Sequence, residues 1–169
     1  TMGLKLLPTQ RHDVQILTSD FQFTGQLETV GPAGNFINDP ARQSLSFYDV
    51  HLTPLTPGSP LKGIARPHVV ILKSQIVLLY LVTEESRASI STFVRREPMM
   101  IYTPVAVCRG HIPMPSEAKI GDFLSVIPGD LLPIVDVRIF PFIELAAPFT
   151  LEAELLLIGR SHLMFYHPA

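Results

Sequence analysis

The sequence predicts an all-β protein in which one small five-stranded fold occurs twice in tandem. The first observation is an internal repeat with a period of about 87 residues, because the segment at 47–52 (FYDVHL) returns at 134–139 (IVDVRI). The second is the pattern between these landmarks, where short apolar segments of strand length are separated by prolines and glycines. The third is Gly25, which matches Gly110 two residues out of phase, as expected if one loop differs in length between the copies.

The repeat divides the chain of 169 residues into two domains of about 80 residues each. We place the first domain at residues 10–83, a polar linker at 84–98 and the second domain at 99–169. Hydrophobic residues make up 47% of the chain and charged residues only 17%, which indicates that partners cover part of the surface. The net charge of −2 provides no general attraction to nucleic acid or to anionic membranes.

Three further features bear on the compartment and on metal sites. The single cysteine, Cys108, excludes an internal disulfide and a cysteine-based zinc site. The longest apolar run, 139–149, contains two prolines and a glutamate and therefore cannot span a bilayer. The apolar stretch at 3–8 is too short for a signal peptide. We therefore expect a cytoplasmic protein of bacterial or archaeal type, without membrane insertion.

The first copy opens with two strands joined by a polar turn, followed by a loop with one helical turn at 35–38. Its third strand changes the parity of its apolar residues between Phe47 and Val50, which predicts a bulge or a sharp bend. A Pro-rich segment at 53–67 precedes the fourth strand, and a tight turn at 73–74 leads into the fifth. The predicted strands of this copy are 14–17, 22–27, 45–52, 68–72 and 75–82.

The second copy follows the same order. Its fourth and fifth strands are joined by a hairpin turn at 159–161, where Gly159 is free to take a positive φ. Between the copies, the pattern at 86–95 predicts a short helix that ends before Pro98. The predicted strands of the second copy are 99–102, 106–112, 131–139, 150–158 and 162–166.

Two motifs can be followed along these strands. The first runs from alternating apolar residues at Val14 and Ile16 through Gly25 to an apolar strand that ends in Asp49-Val50. The second is a hairpin with an apolar residue at either end, present at 71–76 and repeated in the second copy. In this order the motifs resemble those of the Sm-like family of small β-barrels, and the resemblance covers nearly the whole chain. It implies two tandem Sm-like barrels packed side by side.

Other small barrels share parts of the pattern. The segments at 110–115 and 121–124 are similar to those of an uncharacterised group of bacterial proteins with two repeats. Barrels of the PRC type would also fit the succession of short strands.

The resemblance implies where an RNA site would lie, because RNA-binding Sm proteins use an asparagine in the first-motif loop and an arginine in the hairpin. At the arginine position this chain has Leu72 and Gly159, and its basic residues come one place later. We expect those basic residues to be solvated on tight turns, so RNA binding is the less favoured reading. The candidate ligand or RNA residues are Lys73, Ser74, Arg160, Ser161, Asn35 and Asn38.

No motif in the sequence indicates catalysis. Ser74 and Ser161 lack a G-x-S-x-G elbow, and the chain has no phosphate-binding glycine loop and no H-E-x-x-H sequence. The six histidines are scattered without metal-ligand spacing. Asp49 and Asp136 recur at a strand bend, which we interpret as a structural role. We therefore predict no enzyme activity, no cofactor and no metal.

The apolar fourth and fifth strands predict self-association, because Sm barrels leave the edges of these strands free. We expect a homo-oligomer or a subunit of a larger assembly, with three chains forming a ring of six barrels. The predicted function is a non-catalytic scaffold or assembly protein that acts through protein–protein contacts. The alternative is an RNA-binding module of Sm-like descent.

The Pro-rich segments before the two fourth strands differ in character. The segment at 53–60 is polar, whereas the segment at 140–149 carries Phe140, Phe142 and Phe149. We expect these phenylalanines to be buried against the other half, a second subunit or another partner. The alternative is that they fold back onto their own barrel.

Overall fold

The computed structural model describes residues 7–169, and this part of the chain is all-β, as the sequence predicts. Three short helices occur within it: α1 (Ala33–Ile37), α2 (Glu84–Ala88) and α3 (Phe123–Val126). Single 3-10 turns lie at Lys73–Gln75, Ile120–Asp122 and Arg160–His162. The strands of the described chain, β1 to β10 in order, are Thr9–Leu17, Phe21–Val30, Ser44–Pro54, Ile64–Leu72, Leu78–Leu81, Arg95–Tyr102, Ala106–Met114, Leu131–Pro141, Glu152–Gly159 and Phe165–Pro168.

All of these strands join one open antiparallel sheet in the order β10-β6-β7-β8-β9-β5-β1-β2-β3-β4. The first five strands stand in the order five, one, two, three, four, and the last five stand in the same order. The repeat in the sequence is therefore also a repeat of strand order. We call β1–β5 repeat one and β6–β10 repeat two. They meet where β5 pairs with β9, a contact that we call the seam, and β4 and β10 form the two open ends.

The apolar side chains form two buried clusters, and both cross the seam, since the cluster of repeat one includes Leu157 from repeat two. In repeat one, alternate residues of β1 such as Val14 and Ile16 are buried, as the period of a half-buried strand requires. The cluster of repeat two also contains Leu55 and Leu78 from repeat one. The two repeats therefore share apolar core across the seam, and burial there contributes to the stability of both.

A bulge bends the third strand of each repeat, as the parity change in the sequence predicts. Asp49 and Asp136 take positive φ values of 51° and 48° at this point. The pairing register of the neighbouring strand shifts opposite them, at Gly25 and at Gly110. Both glycines face the bent strand closely: a Cβ at Gly25 would lie 3.0 Å from the carbonyl oxygen of Tyr48. The equivalence of the two bends confirms that the repeat extends to backbone conformation.

Several strand boundaries differ from the prediction. β4 starts at Ile64, inside the predicted Pro-rich loop, because Pro67 lies on an edge strand where its missing N–H costs no pairing. β6 starts at Arg95, inside the predicted linker, so the helix of the linker is limited to α2. β5 and β10 start later than predicted, since 3-10 turns occupy their first predicted residues.

The predicted hairpins between the fourth and fifth strands are wrong. β4 pairs with β3, whereas β5 pairs with β1 and β9, so the turn at Lys73–Gln75 carries the chain across the repeat. The predicted positive φ at Gly159 is also wrong, because its φ is −62°. Glycine is needed there for close approach instead: a Cβ at Gly159 would collide with the carbonyl oxygen of Ile76 across the seam.

Candidate functional site

The seam is an antiparallel strand pair inside a single chain. Leu78 pairs with Ile158 and Leu79 with Leu157, and all four side chains are buried. The backbone N–H of Gly159 donates to the carbonyl oxygen of Val77 at 2.8 Å. Because β5 is the fifth strand of one repeat and β9 the fourth strand of the other, the seam defines how a fourth and a fifth strand of this sequence fit together.

Lys73, a predicted ligand residue, is part of the structure of the seam. Its side chain is 3% exposed, and its Nζ lies 2.7 Å from an oxygen of the Asp130 carboxylate, in the other repeat. The same Nζ donates to the carbonyl oxygens of Ile37 at 2.9 Å and Asp39 at 3.0 Å. All three N–H bonds of the ammonium therefore have acceptors. The prediction that Lys73 is solvated is wrong, and its charge is balanced within the chain.

Arg160, the equivalent residue of repeat two, binds α3 and the loop that follows it. Its Nε donates to the carbonyl oxygen of Gly129 at 2.7 Å, and one terminal nitrogen donates to that of Leu124 at 2.6 Å. The other terminal nitrogen donates to the carbonyl oxygen of Ile127. Each basic residue thus donates hydrogen bonds to carbonyl groups at the C-terminal end of the short helix in its own repeat. Carbonyl groups at this end of a helix lack partners within the helix and favour a cation.

The six predicted ligand residues line two neighbouring pockets, each of which contains residues of both repeats. A pocket of about 410 Å³ is lined by Lys73, Ser74, Arg160 and Ser161, together with Gln43. A second pocket, of about 510 Å³, lies beside it and includes the other two predicted residues and part of the linker. Its lining includes Asn35, Asn38, Ile90, Phe93, Pro128 and Pro133.

The small polar residues of this group mainly tie the repeats together. Ser161 Oγ donates to the carbonyl oxygen of Ser74 at 3.3 Å, and His162 Nε2 lies 2.6 Å from the same oxygen. Asn38 Oδ1 accepts the backbone N–H of Leu131 at 3.1 Å. Asn35 is exposed on α1. The arrangement therefore serves first to hold the seam.

Two glutamines, one buried and one half-buried, complete the polar contacts between the repeats, and the sequence analysis missed both. Gln22 is 1% exposed, and its amide donates to the carbonyl oxygen of Ala147 at 2.7 Å and accepts the N–H of the same residue at 3.2 Å. Gln15 Oε1 accepts the N–H of Thr150 at 2.8 Å. The sequence carries a signal for both residues, because each glutamine lies between two apolar residues of a strand. The alternation of apolar and polar residues does not show, however, which backbone groups the glutamine amides would bind.

The three predicted interface phenylalanines behave differently from one another. Phe140 and Phe142 are 45% and 57% exposed. Phe149 packs against the core cluster of its own repeat. Leu55, the counterpart of Phe142 in repeat one, is 4% exposed and belongs to the apolar cluster of repeat two. Contact of Phe140 and Phe142 with a second subunit stays a prediction.

A buried polar network anchors α2 to repeat one. His12 Nδ1 lies 2.6 Å from Ser86 Oγ, and its Nε2 lies 3.1 Å from Thr29 Oγ1. Thr83 Oγ1 bonds Ser86 Oγ at 2.8 Å and also accepts the backbone N–H of Ser86. Burial lowers the pKa of His12, an effect that the nearby Glu85 carboxylate partly offsets. The serine–histidine pair is shielded from solvent, so it serves the fold.

Other reactive groups are few in the part of the chain that the structure describes. Cys108 is buried, which raises the pKa of its thiol to about 12, so the thiol stays protonated at neutral pH. Residues 7–169 bring together no group of three or more histidine, cysteine or acidic side chains that could hold a metal ion. No helix within these residues is long and apolar enough to cross a membrane.

Comparison with protein-family models, with curated proteins and with solved structures finds no match for this chain.

Proposed function

We propose that this protein is a non-catalytic scaffold that acts through protein–protein contacts and self-association, with each repeat an Sm-like unit. The recurring strand order and the matching bends at Asp49 and Asp136 support two copies of one unit. The cytoplasmic and bacterial setting stays an expectation from the sequence.

One observation carries the proposal: the open ends expose residues whose repeat counterparts are buried at the seam. Leu78 is fully buried, whereas its counterpart on β10, Phe165, is 53% exposed. Leu157 is 1% exposed, whereas its counterpart on β4, Val70, is 55% exposed. Exposed apolar strand edges pair readily with other chains. The two open ends of the sheet therefore carry exposed apolar residues at the positions that are equivalent to the two sides of the seam.

Head-to-tail pairing of these ends would join β10 of one chain to β4 of the next. Such a contact is heterologous, so it forms a ring if the rotation closes and a filament if it does not. A ring of three chains would contain six repeats, which is the stoichiometry expected from the sequence.

RNA binding is the weaker alternative. Tight, salt-dependent binding needs cations that are free to meet phosphate. Lys73 is buried and paired with Asp130, and Arg160 uses three of its donors on carbonyl groups. Binding of oligo-U or oligo-A that weakens steeply between low and physiological salt would favour RNA over a scaffold.

The test is the mass of the protein in solution, measured by light scattering and by sedimentation over a range of concentrations. The wild-type chain should exceed its single-chain mass of 18.7 kDa at micromolar concentration. Val70→Lys or Phe165→Lys should return it to that mass without changing the far-UV circular dichroism, because each places a charge in the contact. Val94→Lys is the matched control, since Val94 is 93% exposed and lies outside β4 and β10, just before β6.

A wild-type chain that stays at the single-chain mass at every concentration would contradict self-association. An oligomer that neither end variant disturbs would contradict the assignment of the contact to the ends.

A further inference from the structure

We propose that contact between two chains pairs the strands that correspond to those of the seam, and that Gln43 and Leu72 make it a weaker, reversible contact. The inference rests on the proposed self-association and adds which residues set its strength. In this contact the end of repeat two in one chain meets the β4 end of a second copy. Two positions that stabilise the seam, Asp130 and Gly159, carry different residues at that end.

Gln43 occupies in repeat one the place that Asp130 occupies in repeat two. The backbone N–H of Lys73 donates to the carbonyl oxygen of Gln43 at 2.9 Å, and that of Arg160 donates to the carbonyl oxygen of Asp130 at 2.8 Å. The two repeats therefore form equivalent backbone hydrogen bonds at this position. Since Lys73 reaches across the seam to the Asp130 carboxylate, Arg160 would reach across the outer contact to Gln43 of the next chain.

The exchange of Asp130 for Gln43 removes the charge from one side of the pair. A guanidinium group has five N–H donors, and Arg160 uses three of them within its own repeat, which leaves two for a partner. A carboxylate would accept both in a charge-assisted pair, whereas the neutral amide of Gln43 offers one oxygen and a weaker bond. The outer contact therefore lacks the ion pair that the seam has.

The exchange of Gly159 for Leu72 affects the distance between the strands. At the seam a Cβ on Gly159 would collide with the carbonyl oxygen of Ile76. Leu72 carries such a Cβ on the edge of β4, and its side chain is 53% exposed. The two edge strands of an outer contact must therefore stand further apart, or shift, relative to those of the seam.

The two glutamines that bond across the repeats are also absent from the outer contact. Because the first strands of the repeats match two residues out of phase, the counterparts of Gln15 and Gln22 are Met100 and Val107. Neither can form the bonds that the glutamine amides make to backbone. Apolar contact remains, so association is retained, but the polar contacts that fix the seam are missing.

The test restores the seam residue at the outer contact. Gln43→Asp should lower the dissociation constant of the assembly about tenfold in sedimentation experiments, because it completes an ion pair with Arg160 of the neighbour. The gain should disappear at about 1 M salt, where charges are screened beyond about 3 Å. Gln43→Asn is the matched control and should leave the constant unchanged.

A cysteine pair tests the geometry independently. Val77 and Gly159 bond across the seam, and their outer counterparts, Met164 and Leu72, are both exposed. The double variant Met164→Cys/Leu72→Cys should form disulfide-linked chains on oxidation, whereas either single variant should not form a ladder of linked species. The native Cys108 is buried and does not interfere.

The outcomes separate the two proposals. A wild-type chain that associates, with Gln43→Asp no tighter than Gln43→Asn, would overturn this inference and leave the scaffold proposal intact. Association without disulfide linkage of the double variant would do the same. Wild-type and Gln43→Asp chains that both stay monomeric would overturn the scaffold proposal itself.

Discussion

The seam and the open ends are built from the same repeat positions, yet they bury different amounts of surface. Lys73 at the seam meets a carboxylate from the other repeat, whereas Arg160 has only the carbonyl groups of its own loop. Leu55 is buried in the apolar cluster of repeat two, and its counterpart Phe142 is exposed. The neighbour of each strand contributes to this difference, together with the exchanges at Gly159 and Asp130. A β-strand edge takes its character from what stands next to it, so one motif serves as core in one place and as surface in another.

The difference should be largest at Gly159, where the seam excludes a side chain that the open end accepts. Gly159→Leu places at the seam the residue that β4 carries at position 72. We expect a loss of about 3 kcal/mol or more in the free energy of unfolding, because the new Cβ meets backbone that cannot rotate away. Urea denaturation measures this loss.

Gly121→Ala is the control for Gly159→Leu, since no atom lies within 4 Å of a Cβ at Gly121. Its unfolding free energy should stay within about 0.5 kcal/mol of the wild type. Equal stability of Gly159→Leu and Gly121→Ala would show that the strands at the seam separate easily.

Lys73 provides the next largest effect. Lys73→Met keeps a long side chain but removes a buried ammonium group and leaves two carbonyl oxygens and Asp130 without their donor. We expect a loss of about 2 kcal/mol in the free energy of unfolding, moderated because the Asp130 side chain is 51% exposed and can be hydrated.

Lys62→Met is the matched control, because Lys62 is exposed in the loop before β4. It should change the unfolding free energy by no more than about 0.5 kcal/mol. A Lys73→Met chain as stable as Lys62→Met would contradict the structural role that we assign to the ammonium group.

His12 distinguishes repeat one from repeat two, because α2 is anchored to repeat one through its ring. Burial lowers the pKa of His12 in the folded chain, so the unfolded chain takes up the proton first as the pH falls. The stabilisation is fully present above the unfolded value of about 6.5 and is lost as the pH falls through the folded pKa.

The melting temperature of the wild type should therefore fall more on acidification from neutral pH than that of His12→Gln. His51→Gln serves as the control at an exposed histidine and should follow the wild-type profile. Parallel profiles for wild type and His12→Gln would show that the buried ring does not contribute to the pH dependence.

The smallest effect concerns the bends, where the two repeats should respond alike. Asp49 and Asp136 hold positive φ values that glycine adopts without a Cβ penalty. Asp49→Gly and Asp136→Gly should each raise the unfolding free energy by about 0.5 kcal/mol, since relief of backbone strain slightly exceeds the entropy cost of glycine.

Calorimetry of the two single variants and of the double variant checks this, and their effects should add because the bends lie in different repeats. Asp49→Ala and Asp136→Ala are the controls, since alanine keeps the Cβ and gains no relief. Glycine variants that are both less stable than the alanine variants would show that the aspartate side chains support the bend.

Much of the fold of each repeat could be predicted from the sequence alone, because short-range patterns encode it. Apolar alternation marks the strands, and the parity change at Phe47 and Val50 marks the bulge. The repeat places Asp49 and Asp136 at equivalent bends. These features depend on residues that are near one another in the chain, so they can be read without knowing what lies across the sheet.

Which strands meet, and therefore what the candidate site does, was decided by the tertiary structure. The sequence identified Lys73, Arg160 and their neighbours as one group, but not Asp130, which comes from the other repeat and balances Lys73. It predicted that Phe142 is buried, whereas in the structure Phe142 is exposed and its counterpart Leu55 is buried. The physical reason is that periodicity fixes the apolar face of a strand but carries no information about its partner. The partner is selected by packing and hydrogen bonding between residues far apart in the chain.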